Sequence, residues 1–493
     1  MHDSGRLHAV IGPIRSKLSE PSDIFILMSY TLRNMQRGYR GRATRGGGRG
    51  PWRGGKASQD RPSRQTTSST PSPPLGDLLE AVTHESLNDG PYGTIERPDI
   101  TNCRYVASYN WLKSDKPSVV VPGEVRELTC YEGAPPQWHP LEEAQKLQED
   151  AGEYFRDINA ARYPGHPIEP AVRAVLAQEP TLTTGEVDIF ACGSTLGNLL
   201  RFARKSDKGF RFVAEMAGET VFLSRRENAP DEKLMDVRGY GHTFPEAYTK
   251  LAPCVADSES HQRLIEYDLA GFRCIVRYEV DGYLPCLASG SIKTTSGTSL
   301  PDLEGLRMVA AGHIVPQKAV FDLKTRSARK KLTLKDVLDA EVDRLWLRQI
   351  PNFVLAYHEY GVFHDVGVHD IRAEVARFQV EHTTELKIFS AAIAKVVAYA
   401  RDHPEKRFEV FSDKPGVLEL RQVGGDFPRA LPDDLKSLWA GKTGDTAEFD
   451  DQGSEVAIHS DAESGAEAES DDDSEQNFTA CSASLLMGTG LGT

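Results

Sequence analysis

The sequence has no long hydrophobic run and no internal repeat. A membrane-spanning helix needs about 20 consecutive apolar residues, and the apolar run at residues 24–28 is far shorter. It is also too short for the core of a signal peptide, and it follows acidic residues. The sequence therefore predicts a protein without a membrane partner.

Closely spaced cysteine pairs are absent too. The seven cysteines are scattered along the chain, and none of them belongs to a CxxC pair. Disulfide frameworks of small secreted domains use even sets of cysteines, and no cysteine–histidine spacing matches a zinc site. This pattern predicts reduced thiols in an intracellular protein.

The net charge of −14 is divided unevenly along the chain. Residues 33–64 are basic and glycine-rich, whereas residues 441–475 are acidic. Neither segment has the apolar content to form a core, so both are predicted to be disordered. The basic head is typical of Arg/Gly-rich (RGG) segments that bind RNA phosphates and bases, although a plain linker is the alternative. Its candidate RNA-binding residues are Arg37, Arg40, Arg42, Arg45, Arg49 and Arg53.

These composition changes divide the chain into three parts. Residues 1–94 are predicted to be the disordered basic head with a Ser/Thr/Pro linker, residues 95–431 one folded domain, and residues 432–493 a disordered acidic tail. Helical and hairpin patterns alternate in the domain without a regular βαβ repeat. We therefore predict an α/β domain of the α+β kind, with mixed, mostly antiparallel sheets flanked by helices. Within it, residues 286–318 are predicted to be a loop insert, and residues 141–162 and 371–402 to be long helices. Residues 169–178 are predicted to be a short helix, and residues 210–226, 262–281 and 408–421 to be hairpins.

Two predicted strands carry acids on one face. In RCIVRYEVDGYL, Glu279 and Asp281 point to the same side, as do Asp322 and Lys324 in KAVFDLKTRS. If these strands pair, three carboxylates and one ammonium converge over a dry sheet. Carboxylates suit Mg²⁺ or Mn²⁺, and a lysine beside the metal can orient a water molecule. The order of acids and lysine is typical of PD-(D/E)XK nucleases, whereas each run alone is typical of an ordinary strand with a solvated face.

Two further polar residues are candidates for the same site. Glu246 begins a short predicted helix in GYGHTFPEAYT, and Gln349 ends a predicted helix in RLWLRQIPNF. Each has a structural alternative. Thr243 and Glu246 match a capping box, and Gln349 matches an ordinary polar residue at the end of a helix.

The order of these segments resembles the Rai1/DXO family of RNA 5′-end decapping nucleases over roughly residues 192–368. FRFVAEMAGETVFLSRRE resembles the family's hairpin, and GYGHTFPEAY resembles its GYKFE segment. RLIEYDLAGFRCIVRYEVDG resembles the hairpin that ends in the EVD motif, and VFDLKT resembles the ELKT motif. RLWLRQIPNFVLAYHEYGVF resembles the WxQSF…GF segment. The chain is identified as a divergent member with a PD-(D/E)XK-like fold.

The resemblance implies a metal-dependent hydrolase that acts on RNA 5′ ends, by decapping, by removal of NAD caps or by 5′-to-3′ cleavage. Two Mg²⁺ or Mn²⁺ ions would be held by Glu246, Glu279, Asp281, Asp322 and the Leu323 carbonyl. Lys324 would hold the attacking water, acting with Asp281 and Asp322, and Gln349 would line the site. The resemblance also implies a 5′-to-3′ exoribonuclease as a protein partner and a location in the nucleus, the cytoplasm or both.

The sequence departs from the family pattern at the early motif. Gly193 or Ser194 stands where the family has an arginine that helps to hold the RNA 5′ end. This departure favours a second hypothesis, a catalytically degenerate RNA-binding scaffold of the same fold. A third hypothesis, a prenyl diphosphate synthase, is disfavoured because such enzymes resemble helical bundles with DDxxD motifs. The aspartate run at residues 471–473 lies in the acidic tail.

Overall fold

The computed structural model describes residues 70–91, 98–123, 134–235, 237–288 and 305–441. The six candidate RNA-binding arginines, the acidic tail and residues 289–304 of the predicted insert lie outside these described residues. Within them, no helix is both long and apolar enough to cross a membrane.

Eleven strands of the described residues form one large mixed sheet. In spatial order they are Leu78–Thr83 (β1), Val417–Gln422 (β17), Phe408–Lys414 (β16), Phe210–Ala217 (β6), Thr220–Arg225 (β7), Ile189–Cys192 (β5), Phe272–Glu279 (β10), Ser258–Leu269 (β9), Ile100–Leu112 (β2), Ser118–Val121 (β3) and Arg307–Ala310 (β12). The predicted hairpins β6–β7, β9–β10 and β16–β17 are confirmed as antiparallel pairs. Short parallel pairings of β5 with β7 and β10 join these hairpins.

Six more strands form a smaller sheet. In spatial order they are Val362–Asp370 (β15), Asn352–Glu359 (β14), Val320–Ser327 (β13), Gly282–Tyr283 (β11), Gln137–Trp138 (β4) and Thr249–Lys250 (β8). The two acid-bearing runs pair only at the end of the first one, because β10 lies in the large sheet and β13 in the small one. The chain crosses between the sheets after Glu279, and β11 pairs with β13 instead.

The sheets are flanked by helices, which confirms the predicted fold class. The helices of the described residues are His84–Asp89 (α1), Ile158–Arg162 (α2), Glu169–Gln178 (α3), Gly193–Ala203 (α4), Thr243–Tyr248 (α5), Pro285–Ala288 (α6), Leu334–Leu347 (α7), Arg372–Glu381 (α8), Thr383–Asp402 (α9) and Asp433–Trp439 (α10). The helix α4 contacts both α7 and α9, and α9 also contacts β6. The main core of buried apolar side chains spans these helices and both sheets.

The predicted long helix at residues 141–162 is wrong except for its last turn, α2. The backbone of residues 141–157 forms hydrogen bonds with distant parts of the chain rather than within a helix. The N–H of Leu147 donates to the Gly361 carbonyl at 2.9 Å, and that of Asp150 donates to the Gly239 carbonyl at 2.8 Å. Tertiary contacts here override the helical propensity of a Glu/Lys/Gln-rich segment.

The predicted helix at residues 371–402 is two helices, α8 and α9, which are divided at His382. The Thr383 hydroxyl donates to the carbonyls of Gln379 and Val380 at 3.3 and 2.8 Å. Such side-chain bonds compete with the helical backbone pattern, which accounts for the break.

Elements are also present near the predicted domain limits. The strand β1 and helix α1 lie within the segment 1–94, and β1 pairs with β17. The helix α10 follows residue 431, and its Trp439 packs edge-on against Phe190 and Phe222. The strand β12 lies within the predicted insert.

The cysteines differ in part from the prediction of reduced thiols. Cys103, Cys192 and Cys274 are free thiols, whereas Cys254 and Cys286 are disulfide-bonded.

Candidate active site

Asp281 lies where the chain crosses from the large sheet to the small one, and Gly282 fixes its position. A Cβ atom at residue 282 would lie 2.5 Å from Phe321 Cζ and 2.6 Å from the Pro136 carbonyl oxygen. Only glycine therefore allows β11 to lie this close to β13. The backbone N–H of Leu323 donates to Asp281 Oδ2 at 2.7 Å, which holds the carboxylate against β13.

Asp322 and Lys324 share one face of β13, as predicted, but helix α7 covers that face. Asp322 is only 3% exposed. Arg344 donates to both of its carboxylate oxygens, with Nη2 2.6 Å from Oδ1, and Arg348 Nη1 lies 3.4 Å from Oδ2. Lys324 Nζ lies 3.0 Å from Glu341 Oε1. The side chains of β13 and α7 thus form a ladder of alternating charges.

The ladder is held together by its own electrostatics. Burial opposes the charge of Arg344, but the carboxylates of Asp322 and Glu341 outweigh it and raise the pKa of the guanidinium. Burial likewise opposes ionisation of Glu341, but Arg344 and Lys324 outweigh it and lower its pKa. Arg344 and Glu341 are therefore both charged at neutral pH.

Glu279 and Asp281 interact with Asp322, which is itself part of the ladder. Burial, followed by the charges of Asp322 and Glu279, raises the pKa of Asp281 to about 7. Glu279 is exposed, yet protein atoms closely surround its carboxyl group. This confinement raises the pKa of Glu279, with Asp157, Glu259 and Asp322 adding to the effect and Arg348 opposing it. Repulsion among the three acids therefore adds to the effect of burial at Asp281 and Glu279, while Arg344 pairs with Asp322.

A cavity of about 260 Å³ opens beside Glu279. Four arginines line it, namely Arg156, Arg225, Arg277 and Arg348, together with the acids Glu153, Asp157, Glu259 and Glu279. The stacked rings of Tyr154 and His242, whose centroids are 3.4 Å apart, also face the cavity. The cavity therefore offers cationic and aromatic groups next to the acids, which is a combination suited to an anionic ligand with a planar group.

Two of these arginines are fixed by a buried acid. Asp157 is 7% exposed; burial opposes its ionisation, but Arg225 and Arg277 outweigh burial and keep its pKa below the ordinary value. Arg277 also donates to the Pro167 carbonyl at 3.0 Å. The cavity wall is therefore a set of paired charges with defined positions.

Arg348 lies against the start of α4, where the resemblance would put an arginine. A Cβ atom at Gly193 would lie 3.5 Å from both Cγ and Nε of Arg348. The Nε atom of Arg348 is buried and has no hydrogen-bond partner among the described residues. Arg348, the residue that directly follows α7, thus lies beside Gly193, where the early motif lacks an arginine.

Glu246, a predicted metal ligand, is exposed on α5 and affects the titration of Tyr154 and His242. The capping-box alternative for this residue is wrong, because His242 is the N-cap of α5 and Thr243 lies inside the helix. Asp150 caps the helix instead, since its carboxylate accepts hydrogen bonds from the backbone N–H groups of His242 and Thr243.

Gln349 ends α7, as its structural alternative predicts. Its side-chain N–H donates to the Trp346 carbonyl at 2.6 Å, and its backbone has the left-handed φ of 48°. Its own carbonyl accepts from Gln317 Nε2 at 2.9 Å. In the described contacts, Gln349 supports the end of the helix that carries Arg348.

The donor set fits a hard divalent cation in part. Within the described ranges, no group of three or more His, Cys, Asp or Glu side chains is arranged to hold a metal ion. Glu279 and Asp281 have carboxylate oxygens available, but Arg344 engages both oxygens of Asp322. The three carboxylates suit Mg²⁺ or Mn²⁺ once Arg344 releases Asp322.

The sequence reasoning missed the side chains that α7 brings to the acids. Glu341, Arg344 and Arg348 are three and four residues apart, which puts them on one face of a helix. This spacing is a signal that the sequence contains. It does not reveal which strand the face covers, because that contact is long-range.

Comparison with protein families and known structures places these features in context. A family model described as a domain of unknown function (DUF8563) matches residues 99–437. No curated protein matches the chain significantly.

Among solved structures, Rai1 and Dxo1 proteins are similar to this chain. S. pombe Rai1 in complex with 3′-FADP has 13% sequence identity and a TM-score of 0.45, over 70% of this chain and 100% of that chain. Candida albicans Rai1 in complex with pU5-Mn²⁺ has 9% identity and a TM-score of 0.46, over 76% and 99%. K. lactis Dxo1 in complex with manganese has 10% identity and a TM-score of 0.39, over 74% and 98%.

Proposed function

The chain belongs to the DUF8563 family, and we propose that it is a metal-dependent hydrolase acting on the 5′ ends of RNA. The observation that carries the proposal is the convergence of Glu279, Asp281 and Asp322 beside a cavity lined by arginines. Arg344 pairs with Asp322, but the pKa values of Glu279 and Asp281 are raised, and holding such acids together costs stability. A perturbed acid cluster in a cleft is a functional-site candidate for this reason.

The substrate class follows from the charges around the cleft and from the motif order. Arg225, Arg277 and Arg348 offer planar, bidentate donors, which suit phosphate groups. The stacked Tyr154–His242 pair offers a surface for a base. The order of the motifs supports an RNA 5′ end rather than another phosphoester. Decapping, NAD-cap removal and 5′-to-3′ cleavage all belong to this proposal.

Glu279, Asp281 and Asp322 would hold the divalent ions, with the Leu323 carbonyl and Glu246 as further proposed ligands. When bound, such ions supply positive charge to the attacking and leaving oxygens of an in-line displacement. Glu341 holds Lys324 at the edge of the cluster, where its ammonium can orient the attacking water.

Beside Asp322 and Gly193, Arg348 supplies the charge that the early motif lacks. It faces the cavity from the end of α7 and lies next to Glu279. We propose that it holds the terminal phosphate of the substrate. Gln349 acts as a positioning residue, because it supports the helix end from which Arg348 projects.

The test offers the purified full chain a panel of RNAs that differ only at the 5′ end: monophosphate, triphosphate, methylated cap, unmethylated cap and NAD. We expect hydrolysis of at least one with Mn²⁺ or Mg²⁺ and none with EDTA. Asp281→Asn should abolish it, because a neutral amide no longer balances the ions. Asp402→Asn is the matched control, since this exposed acid lies at the end of α9.

Cleavage that survives Asp281→Asn would refute the assigned site. Cleavage lost equally in Asp402→Asn would mean that the assay reports folding or a contaminant.

The second candidate is an RNA-binding scaffold without turnover. It is favoured by the bidentate pairing of Arg344 with Asp322, which gives that acid an internal partner. In this case RNA would bind in the arginine-lined cavity, and no member of the panel would be cleaved. Binding that persists unchanged in EDTA, with no cleavage under any condition, would favour the scaffold.

A further inference from the structure

A row of basic side chains leads away from the acid cluster along β13. Lys324 and Arg326 lie on the same face of the strand as Asp322, and Arg329 and Lys331 follow in the turn after it. Five residues of strand separate Asp322 from the end of β13, which corresponds to roughly 16 Å. We call Lys324, Arg326, Arg329, Lys331 and the neighbouring Tyr360 the basic strip.

The basic strip keeps positive charge despite its ion pairs. Glu341 is shared by Lys324, Arg326 and Arg344, and Lys331 pairs with Asp365. Arg329 is exposed and contacts a ring rather than a carboxylate in the described part of the chain, since its guanidinium lies 4.3 Å from the centroid of Tyr360.

Tyr360 is displayed at the tip of the β14–β15 hairpin. It is 70% exposed, although burying an aromatic ring is ordinarily favourable. Its φ of 53° is a left-handed conformation that glycine or asparagine adopts more easily. Gly361 is also left-handed, with a φ of 91°, so both residues fit a two-residue hairpin turn that requires this conformation. Arg329 covers one face of the ring, so the other face is open for stacking.

Aromatic rings alternate with cations along this row. Lys331 Nζ lies 5.3 Å from the centroid of Tyr357, but that ring is only 6% exposed, so Tyr360 is the ring of this row that a base can reach. Basic side chains that follow a backbone, with rings on which bases stack, are the usual composition of surfaces for single-stranded nucleic acid. A protein partner with an acidic face would use the charges but would not need an exposed ring beside them.

We propose that the basic strip binds the single-stranded RNA that extends beyond the reacting end, with one base stacked on Tyr360 and phosphates on Arg329 and Lys331. This inference rests on the proposed function, because it takes the acid cluster as the place where the 5′ end lies. RNA that reaches Tyr360 would then be held more tightly than RNA confined to the cleft.

The test measures binding of 5′-phosphorylated oligouridylates of about 3 and about 20 nucleotides to the full chain in EDTA, so that no cleavage occurs. Tyr360→Ala should weaken binding of the long probe by about 5-fold or more, since stacking contributes substantially for each base. It should leave the short probe unchanged. Tyr360→Phe removes the hydroxyl that accepts a hydrogen bond from Arg329 but keeps the ring, so it should retain most of the affinity of the native chain.

The charges are tested through the salt dependence of the same binding. Arg329→Gln with Lys331→Gln should flatten the slope of log affinity against log salt by about 1.4, at about 0.7 for each lost phosphate contact on a single strand. Arg377→Gln is the control, because it removes a partly exposed charge from α8.

Equal RNA affinity and equal salt slope in all variants would refute RNA binding by the basic strip. Equal weakening of the short and long probes by Tyr360→Ala would refute it too. If the strip variants behave as expected while no RNA of the 5′-end panel is cleaved, the strip stands and the hydrolase proposal fails. If cleavage depends on Asp281 but the strip variants bind normally, the hydrolase proposal stands and the basic strip proposal fails.

Discussion

In the proposed site, Arg344 and a metal ion compete for the Asp322 carboxylate, and replacing Arg344 removes one of these two competitors. In the native chain the guanidinium neutralises a carboxylate that is 3% exposed. Arg344→Gln would leave that carboxylate buried without its cation. Breaking a buried ion pair by removing one partner costs about 3–5 kcal/mol. Arg348, at 3.4 Å, offers partial compensation, so we expect a loss of about 3 kcal/mol in the free energy of unfolding.

A metal ion should recover most of this loss, because it supplies the missing charge and no longer has to displace Arg344. Mn²⁺ should therefore stabilise Arg344→Gln more than the native chain. The assay is urea unfolding with EDTA and with saturating Mn²⁺, and the double variant Asp322→Asn/Arg344→Gln should lose the extra stabilisation.

Arg204→Gln provides the control for this comparison. It breaks a more exposed ion pair with Asp343 on the same helix, for which about 0.2–1 kcal/mol and no change in the Mn²⁺ effect are expected. The reasoning would be refuted if Mn²⁺ stabilised native, Arg344→Gln and double-variant chains equally.

Three other predictions concern the same cleft and the head. Folding raises the pKa of Asp281 to about 7, so its contribution to stability is present at low pH and is lost as the pH rises from about 4 towards 7. A cation replaces this proton, and the Mn²⁺-induced rise in Tm should therefore grow from about pH 5.5 to about pH 7.5; a shift that does not change with pH would contradict the assignment. Arg348→Ala should weaken binding of 5′-phosphorylated RNA by about 10-fold or more in equilibrium titrations, because a charged hydrogen bond is lost. Binding of 5′-hydroxyl RNA should not change. Equal losses of affinity for both RNAs would exclude a phosphate contact. Deleting residues 1–64 should flatten the salt slope of RNA binding, at about 0.7 for each lost phosphate contact; an unchanged slope would assign the binding to the remaining chain.

Local patterns in the sequence predict much of the fold. Helix α3 has the predicted limits 169 and 178, and the hairpins follow alternating apolar residues joined by short turns. The failures occur where long-range contacts decide. The backbone of residues 141–157 forms its hydrogen bonds with distant loops. The break at His382 depends on the Thr383 hydroxyl, which competes for carbonyls of the helix.

The candidate site was predictable in part for the same reason. The two-residue period of a strand places Asp322 and Lys324 on one face, and both contact α7. The convergence with Asp281 depends on Gly282, which allows β11 to lie beside β13. The pairing of Asp322 with Arg344 joins two elements whose packing no local pattern encodes. The sequence therefore indicates the acids but not the cation that neutralises one of them.

The central claim is that Glu279, Asp281 and Asp322 form a metal site. Crystals of the full chain soaked in Mn²⁺ would test it most directly, by anomalous difference density recorded near the manganese absorption edge. We predict a peak within roughly 2.0–2.6 Å of carboxylate oxygens from these acids, with Arg344 withdrawn from Asp322 and no peak in Asp281→Asn crystals. A cleft without anomalous density, with Arg344 still bound to Asp322 at saturating Mn²⁺, would contradict the account.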